Sequence, residues 1–127
     1  MLNEILKYEL AATAQFRLHT AMTGFVRARR DHIDALVKRA GYPDVTELPP
    51  LHVGRTVKAQ LENDLAVEQE TVPRLTAAIR NCEAIETRAV LEQMLIDVEH
   101  HVDWLESQLH LISEIGLSEY LSMQSGA

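Results

Sequence analysis

Cysteine, basic residues and long apolar runs are all scarce in this sequence, and each shortage closes off a class of protein. A single cysteine, Cys82, in 127 residues leaves no partner for an internal disulfide and suits a reducing compartment. Twelve Lys and Arg stand against nineteen Asp and Glu, for a formal net charge of -7. Nucleic acid is therefore a poor partner, because phosphate binding wants a basic face. The acidity suits cations, although solubility accounts for it equally well. No uninterrupted apolar stretch approaches the ~20 residues of a membrane span, so no membrane association is expected. Met1-Leu2-Asn3-Glu4 is already amphipathic, and we expect no signal peptide and a cytosolic, cytoplasmic location. No strand-like alternation occurs, and the length suits one domain over 1–127.

What the chain does contain is helical periodicity. Apolar or small residues recur at Leu2, Ile5, Leu6, Ala12, Thr13, Phe16 and Thr20, and again at Ile33, Leu36 and Val37. A third series runs through Val57, Leu61, Leu65, Val72, Leu75 and Ile79. A fourth runs through Leu91, Met94, Leu95, Val98, Val102, Leu105, Leu109 and Ile112. These predict helices over 2–23, 31–40, 55–81, 87–115 and, after Gly116, a short fifth over 117–123. Asp31 suits a helix start, Gly41 with Pro43 a helix end, and Pro73 should kink the third helix or weaken its second half. The stretch from Gly41 to Gly54, with Pro43, Pro49 and Pro50, is long enough for a crossover. The expected fold is all-α: a four-helix bundle of the ferritin-like order, two hairpins joined by a long crossover.

Three charged or titratable residues interrupt these stripes: Glu9, Glu68 and His101, one from each of three helices. A lone core histidine is usually hydrogen-bonded, and a lone glutamate usually lies at the edge of its stripe. Their coincidence on three core faces is more telling, because a buried carboxylate requires a compensating charge or donor. Oxygen and nitrogen donors converging from neighbouring helices suit iron or manganese.

Several segments carry a resemblance to bacterioferritins. Glu62–Glu68, Asp103–Leu109 and Gly116–Leu121 resemble the third, fourth and fifth helices of that family. Leu2–Leu10 resembles its first helix, Ala40-Gly41-Tyr42-Pro43 the end of its second, and Leu51-His52-Val53-Gly54 the end of its crossover. The resemblance implies a hollow shell of 24 subunits, ferroxidase activity (oxidation of ferrous iron by dioxygen or peroxide), ferric mineral storage, and haem held between paired subunits. It implies non-haem iron at Glu9, Glu68 and His101. The rest of the family's pattern is missing. Its fourth-helix glutamate, three residues before the histidine, is Val98 here, and Glu99 is turned ~100° away. Either Glu99 or Asp97 would reach in only through a local helix distortion. Counting back from Gly41, the second-helix Glu-x-x-His and its haem-ligating methionine fall on Phe25, Ala28 and Val26, none of which ligates iron. Phe16 stands where many members carry a tyrosine. We therefore expect reduced ferroxidase activity, and haem absent or weakly held; Met22 is the one methionine near the haem position. The expected partners are copies of the chain or an active paralogue in a mixed shell. The alternative to an iron-storing subunit is a structural, catalytically inactive one.

Several turns are missing between the first and second helices. The chain either keeps a shortened hairpin turning near Gly24, the favoured reading, or runs one helix of ~38 residues spanning ~57 Å that closes a bundle by swapping with a neighbour. His52, His100 and His110 read as surface residues, and Trp104 as packing near His101 or at a subunit contact.

Overall fold

A computed structural model describes residues 2–23, 31–40 and 48–124. The sequence-derived assignments to Phe25, Val26, Ala28, Gly41 and Pro43 lie outside these residues. Five helices follow in order: α1 (Leu2–Thr23), α2 (Asp31–Ala40), α3 (Val57–Arg80), α4 (Ile85–Ile115) and α5 (Leu117–Gln124). Among the described residues there is no strand, and no helix is long and apolar enough to cross a membrane.

Side-chain pairs fix the helix directions. From Tyr8–Arg74 through Gln15–Asp64 to Met22–Gln60, rising numbers on α1 meet falling numbers on α3, so these two helices are antiparallel. Arg39–Glu86 and His32–Asp97 make α2 antiparallel to α4 in the same way. The turn between Arg80 and Ile85 reverses α3 into α4. Hence α2 and α3 run in the same direction, and their connection must return along the length of the bundle. This is the four-helix bundle with a long crossover and a short fifth helix.

The hairpin question is settled by one contact. Residues 9 and 32 in one continuous helix would lie ~35 Å apart, whereas Glu9 Oε2 and His32 Nδ1 are 3.1 Å apart. The first two helices therefore pack side by side, and the fused helix is excluded. Pro73, expected to disturb α3, sits inside an unbroken helix. Pro73 and Gln69, whose carbonyl loses its usual amide partner, both lie on the exposed face, where water replaces the missing bond. α4 begins at Ile85, two residues before the periodicity starts, and ends at Gly116, whose φ of 85° favours glycine.

The apolar core is divided. One cluster gathers Ile5, Leu6, Leu36, Leu75, Met94 and Val98; the other gathers Ala12, Phe16, Leu61, Leu105, Ile112 and Tyr120. Between the two clusters α1, α3 and α4 carry buried polar residues, among them Glu9, Asp64, Glu68 and His101. Tyr120 ties α5 back to α4 by donating to Gln108 Oε1 at 2.7 Å.

The end of the crossover is fastened to this bundle by buried polar groups. The His52 amide donates to Gln15 Oε1 and the Gly54 amide to His19 Nε2, each at 2.9 Å, while Gln60 Nε2 donates to the Gly54 carbonyl at 3.0 Å. Thr56 then caps α3, its hydroxyl accepting from the Ala59 amide. Gly54 lies against the first turn of α3, where a Cβ would stand 2.5 Å from the Gln60 nitrogen and 2.7 Å from the Ala59 carbonyl carbon. Both neighbours are helical backbone and cannot yield cheaply. Gly54→Ala is expected to destabilise the fold by at least about 1–3 kcal/mol, read as a lowered midpoint in urea unfolding with α-helix content unchanged before the transition.

Candidate metal centre in the mid-bundle polar layer

Each helix delivers its polar residue at the height where the apolar stripe would otherwise continue. Glu68 on α3 and His101 on α4 meet across the bundle, with Oε2 2.9 Å from Nδ1 and both side chains buried. The His101 ring is held by the edge of Phe16, at 5.3 Å and 84°, and by the half-exposed Trp104, stacked at 6.1 Å. Trp104 thus packs on His101, as expected. Glu9 does not join this pair. Its Oε2 faces His32 Nδ1 on α2, and His32 Nε2 faces Asp97 Oδ2 on α4 at 3.0 Å. The three residues singled out from the sequence therefore share one layer but divide between two clusters.

Asp97 reaches His32 from an unbroken α4, so no helix distortion is needed. It is one residue before Val98 and faces α2 instead of the bundle axis. Glu99 is exposed, and Val98 is buried in the apolar cluster with Leu6 and Leu36. His52, His100 and His110 are exposed, as the sequence suggested.

Four buried participants were not anticipated: His32, Gln15, His19 and Asp64. Gln15 Nε2 donates to Asp64 Oδ1 at 2.8 Å, and His19 Nδ1 stands 2.9 Å from the same oxygen. His19 Nε2 accepts from the Gly54 amide, which can only donate, so the ring proton of His19 belongs on Nδ1, toward Asp64. Asp64 Oδ2 is buried without a hydrogen-bond partner among the described protein groups. The signals were faint. Asp64 lies four residues before Glu68 and His32 four before Leu36, one helical turn away on the same faces.

Two ionisations are displaced. Burial opposes charge on His32, but the hydrogen bonds and negative charges of Glu9 and Asp97 outweigh it, and its pKa rises above 6.5. Burial likewise pushes the Asp64 carboxyl up from 3.8, outweighing the hydrogen bonds it receives from Gln15 and His19.

The donor set of this layer comprises the carboxylates of Glu9, Glu68 and Asp97 and the imidazoles of His32 and His101. Such oxygen and nitrogen donors suit a divalent first-row transition ion. Each carboxylate–imidazole pair has its donors about 3 Å apart. That is an ordinary hydrogen-bond length and equally the edge of an octahedron with metal bonds of ~2.1 Å. Among the described residues, no three His, Cys, Asp or Glu side chains converge on one point as they stand. The arrangement is one of pairs and not of a closed cage.

Both pKa shifts have the same sign: the folded chain holds these protons more tightly than the unfolded chain. The His32 contribution is complete below about pH 6.5 and is lost as pH rises through its raised pKa. The Asp64 contribution is complete below pH 3.8 and fades through the raised carboxyl value. Urea midpoints measured without metal are expected to rise as pH falls from mildly alkaline toward 6.5, and His32→Gln to flatten that rise.

The protein-family profile for the ferritin-like domain matches residues 10–115. The chain is 34% identical to a bacterioferritin of Mycolicibacterium paratuberculosis over 140 aligned positions, covering 94% of this chain and 88% of that protein. It is 35% identical to a bacterial ferritin of Synechocystis over 144 positions, covering 97% and 92%. Against a bacterioferritin of Streptomyces coelicolor it is 36% identical over 141 positions, covering 95% and 84%. All three alignments are longer than the 127-residue chain, so these relatives carry positions that this chain lacks. The chain belongs to the ferritin-like family and, within it, to the bacterioferritins.

Proposed function

We propose that this protein is an iron-storage subunit that takes ferrous ions into its polar layer, with Glu9, Glu68 and His101 as ligands. The observation that carries this reading is the buried Glu68–His101 pair. A carboxylate and an imidazole are held 2.9 Å apart inside an otherwise apolar bundle. Iron here is the substrate and cargo. Glu68 and His101 bind it from the α3–α4 side and Glu9 from α1, while Phe16 and the apolar clusters restrict water. Each ferrous ion gives up one electron to dioxygen or peroxide, and the ferric product passes on to storage.

Oxidation is proposed to be slow. A fast two-iron reaction wants ions ~3.5–4 Å apart between bridging carboxylates. Val98 occupies with hydrocarbon the place from which a further carboxylate would reach His101. The same observation favours a second reading, a structural subunit without oxidation chemistry that builds a mixed shell with an active paralogue. Haem is proposed to be absent or weakly bound, since Val26 has no lone pair for iron and Met22 is engaged by Gln60 Nε2 at 3.9 Å.

Assembly rests on exposed apolar surface. Leu18 and Met22 on the last turns of α1 are exposed, and so are Leu51 and Val53 of the crossover, which the His52 and Gly54 amides pin to α1. Side chains of this kind gathered on one face mark a contact surface. We propose copies of the chain on that face, in a 24-subunit or mixed ferritin-type shell located in the cytosol.

Two measurements test these statements. Ferrous oxidation followed by absorbance is expected to lack a fast phase in the wild type and to gain one in Val98→Glu. Glu68→Ala should weaken anaerobic ferrous binding by at least about tenfold, or 1.4 kcal/mol. Fast oxidation of two irons per subunit in the wild type would overturn the slow-site reading. Native mass spectrometry should give a closed multiple of the 14.3 kDa subunit, without haem mass; a persistent monomer would refute assembly.

A further inference from the structure

We propose that Asp64 is the positioning residue of a latch that shuts the end of the crossover onto α1 and so shapes the face on which copies of the chain meet. This deepens the assembly reading and rests on it.

The latch works by polarity. Asp64 Oδ1 receives the Gln15 side-chain amide at 2.8 Å and stands 2.9 Å from His19 Nδ1. A carboxylate oxygen only accepts, so each partner turns its donor to Asp64 and keeps an acceptor at its far end. Those far ends, Gln15 Oε1 and His19 Nε2, take the amides of His52 and Gly54, each at 2.9 Å. Turning the Gln15 amide about, or moving the His19 ring proton to Nε2, sets N–H against N–H. Asp64 opposes both reversals. All three side chains are buried, where a mispaired donor is costly. From the other side α3 takes the carbonyls of the same two crossover residues. Asn63 Nδ2 donates to the His52 carbonyl at 3.1 Å, and Gln60 Nε2 to that of Gly54 at 3.0 Å.

The latch reaches the surface because the captured backbone alternates with exposed apolar side chains. Leu51 and Val53 flank the His52 amide, and both are exposed. On α1, Gln15, Leu18, His19 and Met22 fall within a sector of about 100°, so the captured segment runs along the exposed Leu18 and Met22. Gln60 joins the two strips, since its Nε2 also donates to Met22 Sδ at 3.9 Å. The lack of charge on Leu18, Met22, Leu51 and Val53 suits a second copy of a chain whose net charge is -7, because two such copies repel elsewhere.

Only one oxygen of Asp64 takes part. Its Oδ2 is buried without a hydrogen-bond partner among the described protein groups. The latch therefore needs an acceptor at Oδ1 and not a charge. The bland alternative, a buried counter-ion that merely holds α3 against α1, needs the charge, so the two roles separate by experiment.

The test combines amide hydrogen exchange, read residue by residue, with native mass spectrometry of the intact protein. Asp64→Leu is expected to speed exchange at His52 and Gly54 together by at least about tenfold and to shift the assembly toward smaller species. Asp64→Asn, which keeps a carbonyl oxygen and loses the charge, should leave both amides protected and the assembly unchanged. The two arms should act singly: Gln15→Leu frees the His52 amide and His19→Phe the Gly54 amide. Those selective losses decide the matter where Asp64→Leu does not fold, and their absence overturns the latch. Continued protection of both amides in a folded Asp64→Leu overturns it too, as does release in Asp64→Asn as complete as in Asp64→Leu. Release of both amides with an unchanged assembly rejects the role in the contact face and leaves the assembly reading intact. A wild type that stays monomeric with both amides protected overturns the assembly reading, and the proposed role in the face with it.

Discussion

The structure depends on the need to neutralise carboxylates that are carried into the middle of a helical bundle. An ionised carboxylate stripped of water and left unpaired is costly, and removing one partner of a buried pair typically destabilises by ~3–5 kcal/mol. Glu9, Glu68 and Asp64 are all buried, and each meets an imidazole on a neighbouring helix within about 3 Å. These pairs hold the helices in register: Glu9–His32 sets α1 against α2, Glu68–His101 sets α3 against α4, and Asp64–His19 sets α3 against α1. A slip of one residue in any helix would turn a charge by ~100° and strand its partner. The two apolar clusters supply the adhesion, and the polar layer between them selects the arrangement.

Such a layer is a poor way to gain stability. Well-packed apolar residues of similar volume in place of buried ion pairs often leave a protein as stable or more so. Val98 is such an apolar residue, buried at the edge of the layer and continuing the apolar cluster toward it. The remaining charged residues have not been replaced in this way, and Asp64 keeps an oxygen with no hydrogen-bond partner among the described protein groups. Buried charged groups of this cost, set beside hydrocarbon that packs without them, are the physical basis of the proposed binding role.

The bundle was legible in the sequence because its determinants are local. The 3.6-residue stripes gave the helices, Gly116 the last break, and the run with Pro49 and Pro50 the crossover. Glu9, Glu68 and His101 were visible for the same reason, as lone polar residues where a stripe demanded hydrocarbon. The partners were not visible. His32 sits at the edge of a short stripe that Ile33, Leu36 and Val37 already account for. Asp97 looks like a surface residue until α2 is packed against it. His19 and Gln15 act on Gly54 and His52, which are dozens of residues away. Pairing is a property of how helices meet, and periodicity within one helix does not encode it. Pro73 is accommodated inside α3 for a related reason, since the cost of its missing N–H depends on which face of α3 meets water.

A separation of about 3 Å between carboxylate oxygen and imidazole nitrogen serves two states. Without an ion it is a hydrogen-bond length, and the layer closes on itself as satisfied pairs. In the proposed iron-bound state it would be one edge of a coordination sphere, with the same side chains turned toward the ion. The bundle therefore closes on itself with its buried charges paired, whereas a cage of converging carboxylates would repel severely. Among the described residues His101 has one carboxylate within hydrogen-bond reach, Glu68, and His32 is shared between Glu9 and Asp97. A bridged pair of ions needs carboxylates to spare beyond those that neutralise imidazoles. This layer has matched its acids to its bases almost one for one, a composition suited to holding ions singly.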